Sequence, residues 1–560
     1  MAFAQDAAKL SLRLSEGLVE NALEFGLDTP GSFYDNAEFK LSLVRQELSS
    51  ASDKDKVTAL KRLLAAIAKG HDVSEYFADV VKNVASGNLE LRRLVYIYLL
   101  RYAEQEQDLA LLSINTFQRD LTDQNQVIRA MALRVMSSTR VPVISSIVMV
   151  AVRKSAADGS PHVRKTAAFA ARKLVRLDPG LREELTGVVS GMLGESSPLA
   201  VGAVIQAFQA VCPEKTELVH GHFRRWCGMV VDLDEWGQVE LIKLLTRYAR
   251  TQFEQPQDGN QQLDPDHMLL LRSLQPLQQS RNSAVVLAAV SAHYHLAPTG
   301  MLDALGKPLV RLLRSSREAG YVALSNILLV ARRRPQAFKE HVRSFFIAAG
   351  DARFARRLKL QVLEALVSRD TVNTLVPELA SYAKSPRADI SIGAVGVIVA
   401  CARAVRETSL DCFRSLLLML DDARPAVADA AMQAVGVLLC DGTVRDAPAR
   451  QGSATLYDIL CFLARKLERL TGEVARATVF ALVSRFLESR FGMLHAMDVL
   501  RVGARGFAGE GELAKEQVLQ LAVRLAANDK AAELRAYVFT LARYDVSFRV
   551  RDRARLLRAL

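Results

Sequence analysis

The stretch DGSPHVRKTAA (158–168) reads as the start of a helix. An acid stands first, a proline follows at +3, and an apolar residue, Val163, comes at +5. Each part has a physical reason. Asp or Ser satisfies the free amides of a first turn, Pro suits that turn because its N–H is not needed there, and negative charge suits the positive end of the helix dipole. The same order recurs in DQNQVIRAMAL from Asp123, ESSPLAVGAVI from Glu195 and DDARPAVADAA from Asp421, whose repeat begins at Asp422. The last two again carry Pro at +3, and the residues at +5 are Ile128, Ala200 and Val427. The first three starts lie 35 and 37 residues apart. That period indicates a two-helix repeat. One helix pair cannot bury its apolar face alone, so neighbours must stack. The expected fold is all-α, a HEAT/armadillo-like right-handed α-solenoid drawn out as a curved rod.

Length and composition agree with this. The chain has 560 residues, more than one compact core holds. Half are hydrophobic and 24% are charged, which excludes disorder as the ground state. Its leading residues, Ala, Leu, Val and Arg, favour or tolerate helix, and no alternating run long enough for a sheet stands out. The expected organisation is an N-terminal amphipathic segment and linker over 1–38, then the helical array over 39–560, with surface loops near 251–267 and 441–453. In the first segment Phe3, Ala7, Leu10, Leu14 and Leu18 recur at near-heptad spacing between Lys9, Arg13 and Glu16. It reads equally as a docking helix for a sister subunit or lipid and as a cap on the first repeat. The closing RDRARLLRAL lies inside a basic helical pattern, so a longer parent protein is expected. The longest apolar runs, 141–152 and 390–402, fall short of the ~20 residues a membrane span needs. The six cysteines form no CxxC pair and suit scattered thiols in a reducing, cytosolic compartment.

No catalytic motif emerges, and no enzyme or cofactor is expected. GMLDALGKP (300–308) resembles a phosphate loop but has one residue too many between its glycines, and Pro308 where a hydroxyl would hold magnesium. It reads instead as a helix end at Gly300 and a helix start at Pro308. Cys212, His220, His222 and Cys227 are near in sequence, but their spacing matches no zinc framework, so no metal is expected. Lys plus Arg exceed Asp plus Glu by 12, a mild excess that suits an anionic partner. The basic clusters are Lys61–Arg62, Arg92–Arg93, Arg224–Arg225, Arg332–Arg334 and Arg356–Arg357. They read as wet helix faces or as lipid-facing groups, with Lys61, Arg62, Arg92 and Arg93 the lipid candidates. Nucleic acid is not expected, because aromatic residues are only 6% and do not interleave with the basic ones.

DLALLSINTF (108–117) poses a separate question. At 100° per residue, Leu109, Leu112, Thr116 and Phe117 share one face and Leu111 and Ile114 point the other way. Two aliphatic side chains on a second face call for a second protein layer or a partner.

The run DVSEYFADVVKNVASGNLELRRLVYIYLLRYAEQEQDLALLSINTFQRDL (72–121) resembles the trunk of the beta-adaptins, large subunits of heterotetrameric vesicle-coat adaptor complexes. DQNQVIRAMALRVMSSTRVP (123–142), DGSPHVRKTAA and DEWGQVELIKLLTRYARTQF (234–253) continue the likeness. The wording of QEQDLALLSINTFQRDL and ALRVMSSTRVP is nearest to the beta subunits of adaptor complex 3. The family's hinge and ear do not appear. The resemblance implies an α-solenoid that scaffolds the medium subunit and meets the small and the second large, delta-type subunits. It implies Arf-GTP-dependent recruitment to Golgi or endosomal membranes and cargo transport to lysosome or vacuole. It places the GTPase contact on the positions matching Leu111 and Ile114. The competing reading is a nuclear transport receptor or another helical-repeat scaffold.

Overall fold

The computed structural model describes residues 41–254, 263–422, 424–443, 456–487, 493–525 and 531–559. The amphipathic segment 1–38 therefore lies outside the described residues, as do the loop centres at 255–262 and 444–455. Among the described residues every regular element is an α- or 3-10 helix and none is a strand.

The chain divides into two units, the first ending at Leu296 and the second beginning at Ala297. In the first, the helices are α1 (Leu41–Ser49), α2 (Asp53–Ala68), α3 (Phe77–Val81), α4 (Leu89–Tyr102), α5 (Gln107–Asp120), α6 (Gln126–Met136), α7 (Ser145–Ala156) and α8 (Pro161–Leu177). They continue with α9 (Arg182–Met192), α10 (Pro198–Val211), α11 (Glu217–His220), α12 (Phe223–Met229), α13 (Glu235–Gln252), α14 (Pro265–Leu274) and α15 (Ser283–Leu296). One row, α2–α4–α6–α8–α10–α13–α15, packs each helix on the next, and α5, α7 and α9 pair with α6, α8 and α10.

The second unit begins with α16 (Gly306–Leu312), α17 (Arg317–Arg333), α18 (Arg353–Ala365), α19 (Arg369–Ala383), α20 (Ala388–Ala404), α21 (Ser409–Met419) and α22 (Pro425–Cys440). It ends with α23 (Leu456–Lys466), α24 (Glu473–Arg485), α25 (Met493–Gly506), α26 (Glu512–Arg524), α27 (Ala532–Arg543) and α28 (Phe548–Ala559). Its row is α18–α20–α22–α24–α26–α28. Both units thus have the stacked helix-pair architecture of an α-solenoid.

The repeat starts do more than begin helices. Proline occupies the first turn of α8, α10 and α22, and Val163, Ala200 and Val427 are fully buried, as their positions require. The capping differs from expectation. Ser160 and Ser197 make no side-chain cap bond. The acids instead fold onto the turn: Asp158 accepts from the Ser160 amide at 2.8 Å, and Glu195 from those of Ser196 and Ser197 at 3.0 and 2.9 Å. Their remaining valence is taken by the preceding repeat. Arg129 of α6 donates to both Asp158 oxygens at 2.9 Å, and Arg164 of α8 to Glu195 at 2.5 and 3.0 Å. Each arginine also turns back on its own loop, Arg129 to the Asp123 and Gln124 carbonyls and Arg164 to those of Asp158 and Gly159. Arg356 with Asp389, and Arg476 with Glu510, repeat the device in the second unit. These guanidiniums hold Asp158, Glu195 and Asp389 below the usual carboxylate range. A bidentate Arg–carboxylate pair fixes geometry as well as charge, so the motif sets the register between successive repeats.

Two glycines mark close approaches. A Cβ on Gly202 of α10 would lie 2.7 Å from the Cα of Gly237 in α13. On Gly306 it would lie 2.0 Å from the Ala337 carbonyl oxygen, so the second glycine of the phosphate-loop-like stretch is a packing contact. Pro308 does lie in the first turn of α16, but Gly300 sits within a 3-10 stretch, Thr299–Leu305, rather than ending a helix.

Candidate functional site

On α5 the structure rotates the expected faces. Ile114 is 8% and Phe117 3% exposed, Leu111 is half-buried, and Leu112 is 68% exposed. Leu112 therefore does not share the covered face with Phe117, and Ile114 does not lie opposite it. The Phe117 ring packs edge-on to Tyr96 of α4 at 5.4 Å, which turns Ser113, Ile114, Phe117 and Asp120 inward together. These four recur at helical spacing, whereas the expected face ran through Leu109, Leu112, Thr116 and Phe117. Among the described side chains of α5, Leu112 is the exposed large apolar one, with half-buried Leu111 beside it.

The lipid-facing reading of the basic clusters is corrected at Arg92. That side chain is buried, donating to Asp120 at 3.0 Å and to the Ser86 carbonyl, so it closes the step between α4 and α5. Arg62 holds both oxygens of Glu47 at 2.6 and 2.8 Å, and Lys61 lies 3.2 Å from Glu90. Arg93 is exposed. Elsewhere Arg224 pairs with Asp266, Arg225 donates to the Leu193 and Gly194 carbonyls, and Arg334 pairs with Asp303. Doubled basic letters here mostly secure contacts between helices.

The four zinc-like residues go separate ways. Cys212 ends α10 and Cys227 lies in α12, both buried, and burial pushes the Cys227 thiol up to about 12. His220 hydrogen-bonds the Tyr248 hydroxyl at 2.6 Å, and the His222 ring stacks near Trp226.

A cationic groove on the first unit escaped the sequence reading. It measures about 850 Å³ between the C-terminal end of α6 and one face of α8. Arg134 and Arg140 stand on the α6 side, and Lys165, Arg172, Lys173 and Arg176 on α8, with His162 near the start of that helix. No acidic residue lines it. Arg140 reaches Glu104 at 3.4 Å and Lys165 reaches Asp234 at 3.5 Å. Among the described residues no carboxylate pairs with Arg134, Arg172, Lys173 or Arg176; Arg172 bonds the neutral Gln206, and Lys173 donates to Ser138. Burial, reinforced by Arg134 and Arg172, pulls the Lys173 ammonium below its ordinary value. The signal was present in the sequence: residues 124–182 hold eleven Lys and Arg against two acids, Asp158 and Asp178. Whole-chain charge dilutes it.

Stacked helix pairs joined by charged seams, with surfaces left over for other molecules, define a helical-repeat scaffold. Residues 37–560 match the adaptin N terminal region family. The AP-3 complex subunit beta-1 of Bos taurus is 40% identical over 546 residues, covering 92% of this chain and 49% of its own length. The AP-3 complex subunit beta of Schizosaccharomyces pombe is 33% identical over 559 residues, covering 97% of this chain and 73% of its own. The chain belongs to the adaptin family, and these relatives are beta subunits of AP-3 complexes. It spans about half the length of the mammalian relatives it matches. A structure described as a homology model of the full-length AP-3 complex in an intermediate open conformation covers 100% of this chain and 99% of its own, with TM-score 0.61 at 24% identity, and shares the fold. The nuclear transport receptor reading gives way to this family. No described helix is long and apolar enough to cross a membrane.

Proposed function

We propose that the chain is the trunk of a large beta subunit in a heterotetrameric adaptor complex. In this reading it is a non-catalytic scaffold that holds the medium subunit and meets the small and delta-type large subunits. The observation that carries it is the 40% identity to AP-3 beta-1 over 92% of the chain. Exposed apolar side chains such as Leu112, Trp236 and Phe354 suit subunit contacts. Co-expression with an AP-3 medium subunit tests the reading. Co-elution in gel filtration is expected, and a well-behaved monomer that ignores the medium subunit would refute it.

The proposal extends to peripheral recruitment by an Arf-family GTPase at Golgi or endosomal membranes, for transport to lysosome or vacuole. The contact is assigned to Leu111 and Ile114, with Leu111 as its surface half and Ile114 as its support. Leu111→Asp should abolish GTP-dependent recruitment with melting little changed. Ile114→Asp should instead destabilise the chain, since a buried carboxylate without a partner costs several kcal/mol. Intact recruitment by folded Leu111→Asp protein would remove the assignment.

A further inference from the structure

We propose that the cleft where α17 and α18 begin is a docking site for a linear segment of a partner protein in which acidic and apolar residues alternate. This rests on the scaffold reading above and deepens it, giving the exposed Phe354 a partner of stated chemistry.

Two rings mark the place. Tyr321 of α17 is 44% exposed and Phe354 of α18 53%, and the rings meet edge-on at 5.1 Å. They come from successive helices, so stacking of the repeats assembles the pair. Beside them opens a cleft of about 450 Å³. Val310, Leu313 and Leu324 form its inner wall, and the exposed Arg314 and Arg317 stand at its rim.

Charge selects the partner. Asp351 is the one acid lining the cleft, and it is occupied by the Lys359 ammonium at 2.6 Å and the Ala348 amide at 2.8 Å. Lys359 in turn is held by Asp351 and by the Phe346 carbonyl at 3.0 Å. Glu318 turns to its own amide and to the Ser316 hydroxyl, which hold its carboxyl below the ordinary range. Among the described residues no carboxylate pairs with Arg314 or Arg317. Arg353 and Arg357, both exposed, add positive charge along α18 on either side of Phe354.

Aromatic rings beside arginines are the composition enriched where proteins meet. A guanidinium also holds a carboxylate through two parallel donors. A cleft of this volume takes a few side chains rather than a folded surface. A segment of alternating residues would seat its apolar side chains against the rings and the inner wall, and its carboxylates on Arg314 and Arg317. Nucleic acid is disfavoured, because rings set edge-on offer no parallel platform for successive bases.

Fluorescence anisotropy on the full chain tests this with a labelled peptide in which glutamates alternate with leucine and phenylalanine. Comparison peptides carry serine for the apolar residues or lysine for the glutamates, and an oligouridylate stands for nucleic acid. The first peptide should bind, and more weakly as salt rises. Tyr321→Ser/Phe354→Ser and, separately, Arg314→Gln/Arg317→Gln should each weaken binding at least about tenfold, a loss of ~1.4 kcal/mol. The control Leu329→Ser/Arg332→Gln, on exposed positions of α17 outside the cleft, should weaken it less than about threefold. Should the ring variant melt early, the arginine variant decides. The proposal is overturned if a comparison peptide or the oligouridylate binds as tightly, if the cleft variants bind as the parent does, or if the control loses as much as they do. It is also overturned if the assembled complex with the medium subunit no longer takes the peptide, since a folded subunit then covers the cleft. Co-elution with the medium subunit is read on the same samples. Its loss would fail the scaffold reading, whereas co-elution without peptide binding fails the docking site alone.

Discussion

Arg164 and Lys165 are adjacent letters on α8 that open two unlike faces. Arg164 sits in a seam, bound to Glu195 ahead of it and to its own loop behind. Lys165 begins a face on which Arg172, Lys173 and Arg176 go without acids. The first arrangement spends a charge on register between repeats. The second leaves charge concentrated where a ligand can reach it. Burial separates their extremes: the seam's Glu195 is at 5% side-chain exposure, whereas the groove's Arg176 lies open. An enclosed charge demands an internal partner, and an open one can wait for an external partner.

The contrast breaks most visibly at its buried extreme. Arg92→Ala leaves Asp120 enclosed without its guanidinium and should destabilise the first unit by roughly 3–5 kcal/mol. Arg176→Ala should stay within about 0.5 kcal/mol, as surface changes do. Urea unfolding of the two variants checks the pair, and equal losses would erase the distinction between seam and groove. A double-mutant cycle on Arg164→Ala and Glu195→Ala should show a coupling of about 1–3 kcal/mol, the range for residues in one network. The same cycle on the exposed pair Arg153 and Glu184 should give under about 1 kcal/mol.

Acid offers a sharper view. The folded chain holds Asp158, Glu195 and Asp389 below their ordinary range, chiefly through hydrogen bonds from Arg129, Arg164 and Arg356. Their stabilisation is present above the unfolded values near pH 4 and is lost as pH falls through the folded ones. Melting temperature should therefore drop on acidification below about pH 4, and less steeply in Arg164→Gln. The smallest effect runs the other way. Lys173→Met removes a half-buried charge that burial and two guanidiniums disfavour, so it should raise stability by about 0.5 kcal/mol, the scale of like-charge neighbours on a helix.

The helical stack was legible because proline, acid and apolar residue recur at a fixed period, and each has a local cause. The acids' second task was not, because their arginine partners lie 29 to 31 residues away in sequence. Arg92 misled for the same reason: beside Arg93 it reads as surface, and only the return of α5 brings Asp120 to it. On α5 the expected face left out Ser113 and Asp120, both of which are buried. The groove needed α6 and α8 side by side before its charges could be seen as one set.

The seams also give the stack a polarity. Arg129 and Arg164 each reach forward to the acid that opens the next repeat, and neither acid reaches back for another cation. Cutting the chain between repeats therefore produces two unlike ends. A fragment starting at Asp158 exposes a carboxylate that water can hydrate cheaply. A fragment ending just before Glu195 strands Arg164 within a loop whose carbonyls already hold one edge of its guanidinium. N-terminal truncations at repeat boundaries should accordingly be tolerated better than C-terminal ones, and dissection of this chain into soluble pieces should proceed from its front.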